Sequence, residues 1–353
     1  MLRYLISAAL IGVALCSATG SASADTLRVP QDFPTIQSAI DAAPQGATVV
    51  VAAGSYRENL LILKPITLRS VRGARDTVID GGSIGPVVVV RGTGAERVVI
   101  SGFTITKGLN NGAFSGDGAG NAGGIHMESV VGVVMDSVIR DNVGCLGSGI
   151  STLSAAVTIQ RNQIRNNPKD PSCDGADGGG IFLRGDGVRP STVVSNVVVG
   201  HRIGGRGAGV AVQGMTEVTI RDNIINGNDA SSPGGGAGGG ILVTEGTSAT
   251  ISGNVLIGNS AQSGGAMALF PTDSADRVTA HGNVMAGNRA TEVGSAIFIV
   301  TVADEQLRLT GNLVDGSTEI ALIYCGGTPF TVPASNILHN RQGPELGGNC
   351  VSP

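Results

Sequence analysis

Five side chains in the middle of the chain have types and spacing suited to chemistry: Asp174, Asp177, His201, Arg202 and Arg206. A guanidinium holds a planar carboxylate through two hydrogen bonds, so Arg202 or Arg206 suits the carboxylate of a uronic-acid polymer. Removing the proton beside that carboxylate needs a base that titrates near neutrality, and His201 is chemically suited to the task. Asp174 and Asp177 offer hard oxygen ligands of the kind that Ca2+ takes, which makes calcium the cofactor such a lyase would use. The bland alternative is that all five are solvated turn residues.

Further candidates are fewer and weaker. His126 and Glu128 alternate with Ile125 and Met127, so the polar pair can share one strand face while the apolar pair points inward. His281 stands where other copies of a repeat carry Gln160, Arg221, Ser252 and Thr310, and such variety marks an exposed face. A threonine column at Thr158, Thr192, Thr219, Thr250 and Thr279 suits half-exposed strands. Phe182, Leu242 and Phe298 form either an outward apolar stripe or a surface covered by the loops before them.

The elements that would position these residues come from a repeat. VTIQRNQIRNN from Val157, VTIRDNIINGN from Val218 and ATISGNVLIGN from Ala249 share one grammar. An asparagine recurs at 162, 196, 223, 254, 283, 312 and 336, preceded by Ser137 in the same place, at separations of 25, 34, 27, 31, 29, 29 and 24 residues. Glycine-rich segments such as GGGIFL from Gly178 and GGGILV from Gly238 then lead into another apolar strand. Each unit therefore holds at least two short strands and cannot bury a core alone, whereas stacked units can. The connections lack the helical pattern that a βαβ crossover needs. The asparagines suit tight turns and a ladder of side-chain amides along the stack. Gly227, Gly258, Gly287 and Gly316, four residues after an asparagine, suit backbone angles that other residues resist.

Composition agrees with a long stack of short strands. The 353 residues include 56 glycines, 3% aromatics and no tryptophan. A formal charge of -4 leaves no overall electrostatic footprint for nucleic acid. Residues 1–24 have the layout of an export signal: Arg3, an apolar run from Leu5 to Leu15, and small residues from Ser21 to Ala24. A secreted or periplasmic monomer without a membrane span follows as the expectation. Four cysteines then remain, and proximity in sequence favours Cys145 with Cys173 and Cys325 with Cys350 among three connectivities. Residues 25–48 form an N-terminal segment whose helix, Thr35 to Ala43, caps the first coil, and residues 49–353 form the repeat domain.

Asp32-Phe-Pro-Thr-Ile-Gln-Ser-Ala-Ile-Asp-Ala-Ala43 followed by Gly54-Ser-Tyr-Arg-Glu58 resembles the opening of the pectin-lyase-like superfamily. The copies from Ser137 to Asn340 are similar to that superfamily's parallel β-helix repeats. The resemblance implies an all-β, right-handed single-stranded parallel β-helix, and Gly54, Tyr56 and Glu58 resemble the first signature region of its pectinesterases. The later pectinesterase, polygalacturonase and epimerase signatures are missing. Asn121-Ala-Gly-Gly-Ile125 also looks like repeats of bacterial cell-surface β-helix proteins. Three functions stand as expectations: binding of cell-wall or matrix polysaccharide, a calcium-assisted uronan lyase, or a structural component of a cell-surface assembly.

Overall fold

A computed structural model describes residues 25–353 except 93, 95, 96, 111–121, 174–176, 216, 232–235, 245, 272, 302, 303 and 317. The export-signal segment and Asp174 lie outside the described residues.

Each coil contributes three strands, one more than the minimum the repeat requires. The strands pile into three sheets of eleven strands each. One coil runs through Ala156–Gln160, Gln163–Arg165 and Ile181–Arg184, and Ser191–Val194 then begins the next coil on top of the first strand. Pairing is parallel and in register, as where Val131–Met135 lies between Arg97–Ser101 and Ala156–Gln160. Three coils add a fourth strand between the second and third sheets, at Asp229–Ala230, Ser260–Ser263 and Arg289–Val293. The chain is a parallel β-helix.

Register decides the core. Ile159, Ile164, Ile181 and Leu183 of one coil have no exposed surface and are followed by Val193, Val198, Val210 and Val212 of the next. Burying each such side chain contributes roughly 1.5–3 kcal/mol relative to leaving it exposed. Glycine stands where the chain enters the third sheet because the interior narrows there. A Cβ on Gly240 would lie 2.6 Å from the Ala266 carbonyl oxygen and 2.9 Å from the Leu256 side chain.

The helix Ile36–Ala42 closes the first coil by burying Ile36, Ala39 and Ile40. Thr35 and Ser38 form a capping box, and the Glu58 carboxylate accepts from the backbone N–H groups of Ile36 and Gln37, both at 2.9 Å. At the other end Lys64 Nζ donates to the Asp41 and Ala43 carbonyls at 2.9 and 2.8 Å. Both contacts complement the helix dipole. Lys64 is thereby bound to the end of the helix. Tyr56 donates its hydroxyl proton to the Ala52 carbonyl at 3.1 Å. Of the three residues that resemble an enzyme signature, Glu58 thus fastens the cap and Tyr56 fastens its own turn. Glu58→Ala is expected to lower stability by about 2 kcal/mol, because two backbone donors lose a charged acceptor; a urea titration followed by circular dichroism checks it.

Candidate functional site

The turns carry two ladders of side-chain amides rather than one. The expected ladder runs from Ser137 through Asn162, Asn196, Asn223, Asn254, Asn283 and Asn312 to Asn336. Asn254 shows the pattern. Its backbone N–H and Nδ2 donate to Asn283 Oδ1 at 3.0 and 2.9 Å, and Nδ2 also donates to the Ile220 carbonyl at 2.9 Å. The residue just before each amide from Asn162 to Asn312 carries the left-handed conformation, as at Arg161, Ser195 and Asp222 with φ of 54, 56 and 57 degrees. A second ladder stands five residues later at Asn142, Asn167, Asn228, Asn259 and Asn288. Gly227, Gly258 and Gly287 precede its last three members with φ of 62, 61 and 60 degrees.

His201 occupies the missing rung of this second ladder. It has no exposed surface. Its Nδ1 lies 2.8 Å from Asn228 Oδ1, and its Nε2 lies 3.2 Å from Asn167 Nδ2. An acceptor on one side and a donor on the other define a neutral imidazole with its proton on Nδ1. Burial lowers its pKa to about 4, against the opposing pull of the Asn228 hydrogen bond. The ring is thus turned away from the flank where a substrate would lie.

Of the other members of the expected cluster, Asp177, Arg202 and Arg206 reach that flank. Asp177 and Arg206 face each other from adjacent coils with Nη2 to Oδ2 at 3.0 Å and Nε to Oδ1 at 3.3 Å. Arg202 pairs with Asp229 of the following coil at 3.3 Å. Burial raises the Asp229 pKa, but hydrogen bonds from Ser231 and Ser260 and the charge of Arg202 outweigh it and hold the carboxyl below its ordinary range. Cys145 and Cys173 form a disulfide that fastens the neighbouring loop, and Cys325 pairs with Cys350 near the C-terminus. Among the described residues no three His, Cys, Asp or Glu side chains gather as a metal site.

Loops cover most of the third sheet's outer face. Phe182 and Leu242 pack with Ala211, Ala237 and Ala268, and Leu146 lies against them. Phe298 is half-buried and meets Phe270 edge-on at 5.5 Å. On the same face His126 Nδ1 is 2.8 Å from Ser151 Oγ, and Nε2 is 4.0 Å from Glu128, which Arg91 holds at 3.0 Å. Ser151 has no exposed surface and also accepts the Ala122 N–H at 3.0 Å. His281 is exposed, and the threonines from Thr158 to Thr279 form a half-buried column in register.

A polar groove lies elsewhere, where the first sheet turns into the second. It holds about 600 Å³ and is lined by Arg75, Arg140, Arg161 and Arg165 around a single carboxylate, Asp136. Asp136 is taken by Arg161, at 2.8 and 2.9 Å. Arg140 pairs outward with Asp141. Arg75 and Arg165 make no ion pair among the described residues. Sequence reasoning missed this groove although its signal is periodic: Arg140 and Arg165 each follow a first-ladder residue by three, and Asp136 and Arg161 each precede one.

Three parallel sheets, stacked amides and a capped first coil define a parallel β-helix with grooves on its outer faces. The chain belongs to the family described as Right handed beta helix region, whose profile matches residues 87–268 and, overlapping them, 172–340. It is similar to a cell surface glycoprotein of Methanothermus fervidus, 29% identical over 130 residues, 36% of this chain and 19% of that protein. The matched part is thus about a fifth of that relative's length. In structure it is similar to an alginate lyase from Paenibacillus sp. str. FPU-7, with a TM-score of 0.50 and 17% identity, covering 92% of this chain and 99% of that one. The Dettilon tailspike protein gp208 superposes with a TM-score of 0.48 and 13% identity, covering 92% and 68% of the two chains. Among the described residues no helix is long and apolar enough to cross a membrane.

Proposed function

We propose that this β-helix is an exported protein that holds an acidic polysaccharide of the cell wall or matrix in the arginine groove of its second sheet. One observation carries the reading: four guanidiniums surround a single, already paired carboxylate on a molecule whose formal charge is -4. Such a groove suits repeated carboxylates spaced along a polymer. Arginine is fitted to them because its fork matches a planar carboxylate. The likeness to a cell surface glycoprotein supports a place outside the cytoplasm, as a monomer or within a surface assembly. Arg75→Ala and Arg165→Ala break no ion pair, so each is expected to weaken binding of mannuronate or galacturonate oligomers about tenfold without changing stability. Calorimetric titration at low and high salt tests it. Absence of binding, or variants that bind as the parent does, overturns the reading.

A uronan lyase on the loop flank is the second reading, favoured because the Arg202 side chain is 86% exposed beside Asp229 and can meet a carboxylate from solvent. Its base must be a group other than the enclosed His201. Product absorbance with pectate, alginate and glycosaminoglycans, with and without Ca2+, tests it. A rate unchanged by replacing both Arg202 and Arg206 refutes that assignment.

A further inference from the structure

Beyond the arginine groove, the outer face of the second sheet changes character along the stack. Register aligns two outward columns. The first runs Val138, Gln163, Val197, Ile224, Val255, Val284, Leu313 and Ile337. The second runs Arg140, Arg165, Val199, Asn226, Ile257, Ala286 and Asp315. From Val197 onward the first column is entirely aliphatic. Its members Ile224, Val284, Leu313 and Ile337, with Ile257 beside them, are between 37% and 64% exposed. Five strand steps at about 4.8 Å make a strip about 24 Å long, longer than the ~15 Å depth of one bilayer leaflet's hydrocarbon. Single exposed aliphatics need no explanation, but a continuous strip that begins where a cationic groove ends does.

We propose that this face is a track for an acylated acidic saccharide, with carboxylates on the arginines and the acyl chain lying along the aliphatic column. The inference rests on the acidic-saccharide reading of the groove and narrows its ligand. Complementarity selects the occupant: a purely polar glycan leaves the strip wet, and a neutral lipid leaves the guanidiniums unmatched. Binding runs along the helix axis, because the head and tail sites share the same columns and differ only in coil.

The test compares a mannuronate hexamer with the same hexamer carrying one palmitoyl ester, both below micelle formation, by calorimetric titration. Methylenes taken from water favour the bound state, so the tail is expected to tighten binding more than tenfold. The exposed-site double variant Ile224→Thr with Leu313→Thr is expected to remove that gain and leave the bare hexamer unchanged. Arg165→Ala is expected to weaken both ligands alike. If the bare hexamer binds and the tail adds less than twofold, or the double variant keeps the gain, the track is overturned while the groove stands. If the bare hexamer does not bind, the groove reading falls first. If light scattering shows the parent as a dimer that the double variant dissociates, with no effect on the tail, the face belongs to a second copy and the track is overturned.

Discussion

Asn254→Ala is expected to destabilise the protein by about 4–6 kcal/mol, because the substitution strands three buried groups, each costing about 1–3 kcal/mol. The Asn223 backbone N–H and one of its Nδ2 hydrogens lose their shared acceptor, Asn254 Oδ1, and the Ile220 carbonyl loses its donor. None can recover a water partner, since Asn223 and Asn254 have no exposed surface. Asn254→His should cost less, since His201 shows that an imidazole can accept from the rung before and donate to the rung after. It still lacks the second donor that serves the strand carbonyl. Thr250→Ala, on the half-exposed column of the same coil, is expected to stay within about 0.5 kcal/mol. Urea unfolding midpoints of the three variants provide the measurement. A loss below about 1 kcal/mol for Asn254→Ala would mean that the stacked aliphatics hold the coils together without help from the amides.

These amides also explain how much of the molecule could be read in advance. The first ladder was legible because each asparagine sits in a local pattern that repeats: an alternating strand before it and three strand residues after. The cap helix was legible for the same reason, with Ile36, Ala39, Ile40 and Ala43 on one buried side. The second ladder was equally present in the strings quoted, as the final asparagine of VTIQRNQIRNN and VTIRDNIINGN. It escaped because His201 breaks the column at the point where histidine invites a chemical reading. What no local pattern contains is the neighbourhood across coils. Coils of 24 to 34 residues keep their strands aligned because the loops before and after the third sheet absorb the difference in length. Arg140 and Arg165 are 25 residues apart in sequence and direct neighbours in the sheet, so their groove emerges only once register is known. Glu58 and Lys64 are similar. Their partners are the ends of a helix more than 20 residues earlier, and nothing in the corner itself predicts them.

The burial of His201 leads to the second large effect, in acid. The unfolded chain takes up a proton on this imidazole near pH 6.5, whereas in the fold burial holds the pKa to about 4. Above pH 6.5 both states are neutral there and the histidine contributes nothing to pH dependence. As pH falls from 6.5 toward 4 the unfolded state binds a proton that the folded state refuses, so stability falls, by on the order of 3 kcal/mol once pH 4 is reached. The geometry gives the cause independently of the titration. A proton on Nε2 would face the Nδ2 donor of Asn167 at 3.2 Å, turning an accepted hydrogen bond into two opposed donors. His201→Asn restores the amide found at every neighbouring rung and is expected to fold with at least the parent's stability at pH 7. It should also lose the decline between pH 6.5 and 4, apart from what the surface carboxylates contribute below that range. Unfolding midpoints for parent and variant at half-unit pH intervals give the comparison. Parallel curves would show that His201 takes up its proton in the folded state as readily as in the unfolded one, and so that the second ladder opens at this coil. A steep parent curve beside a flat variant curve would leave the imidazole as a structural rung, with any chemistry of the flank assigned to other side chains.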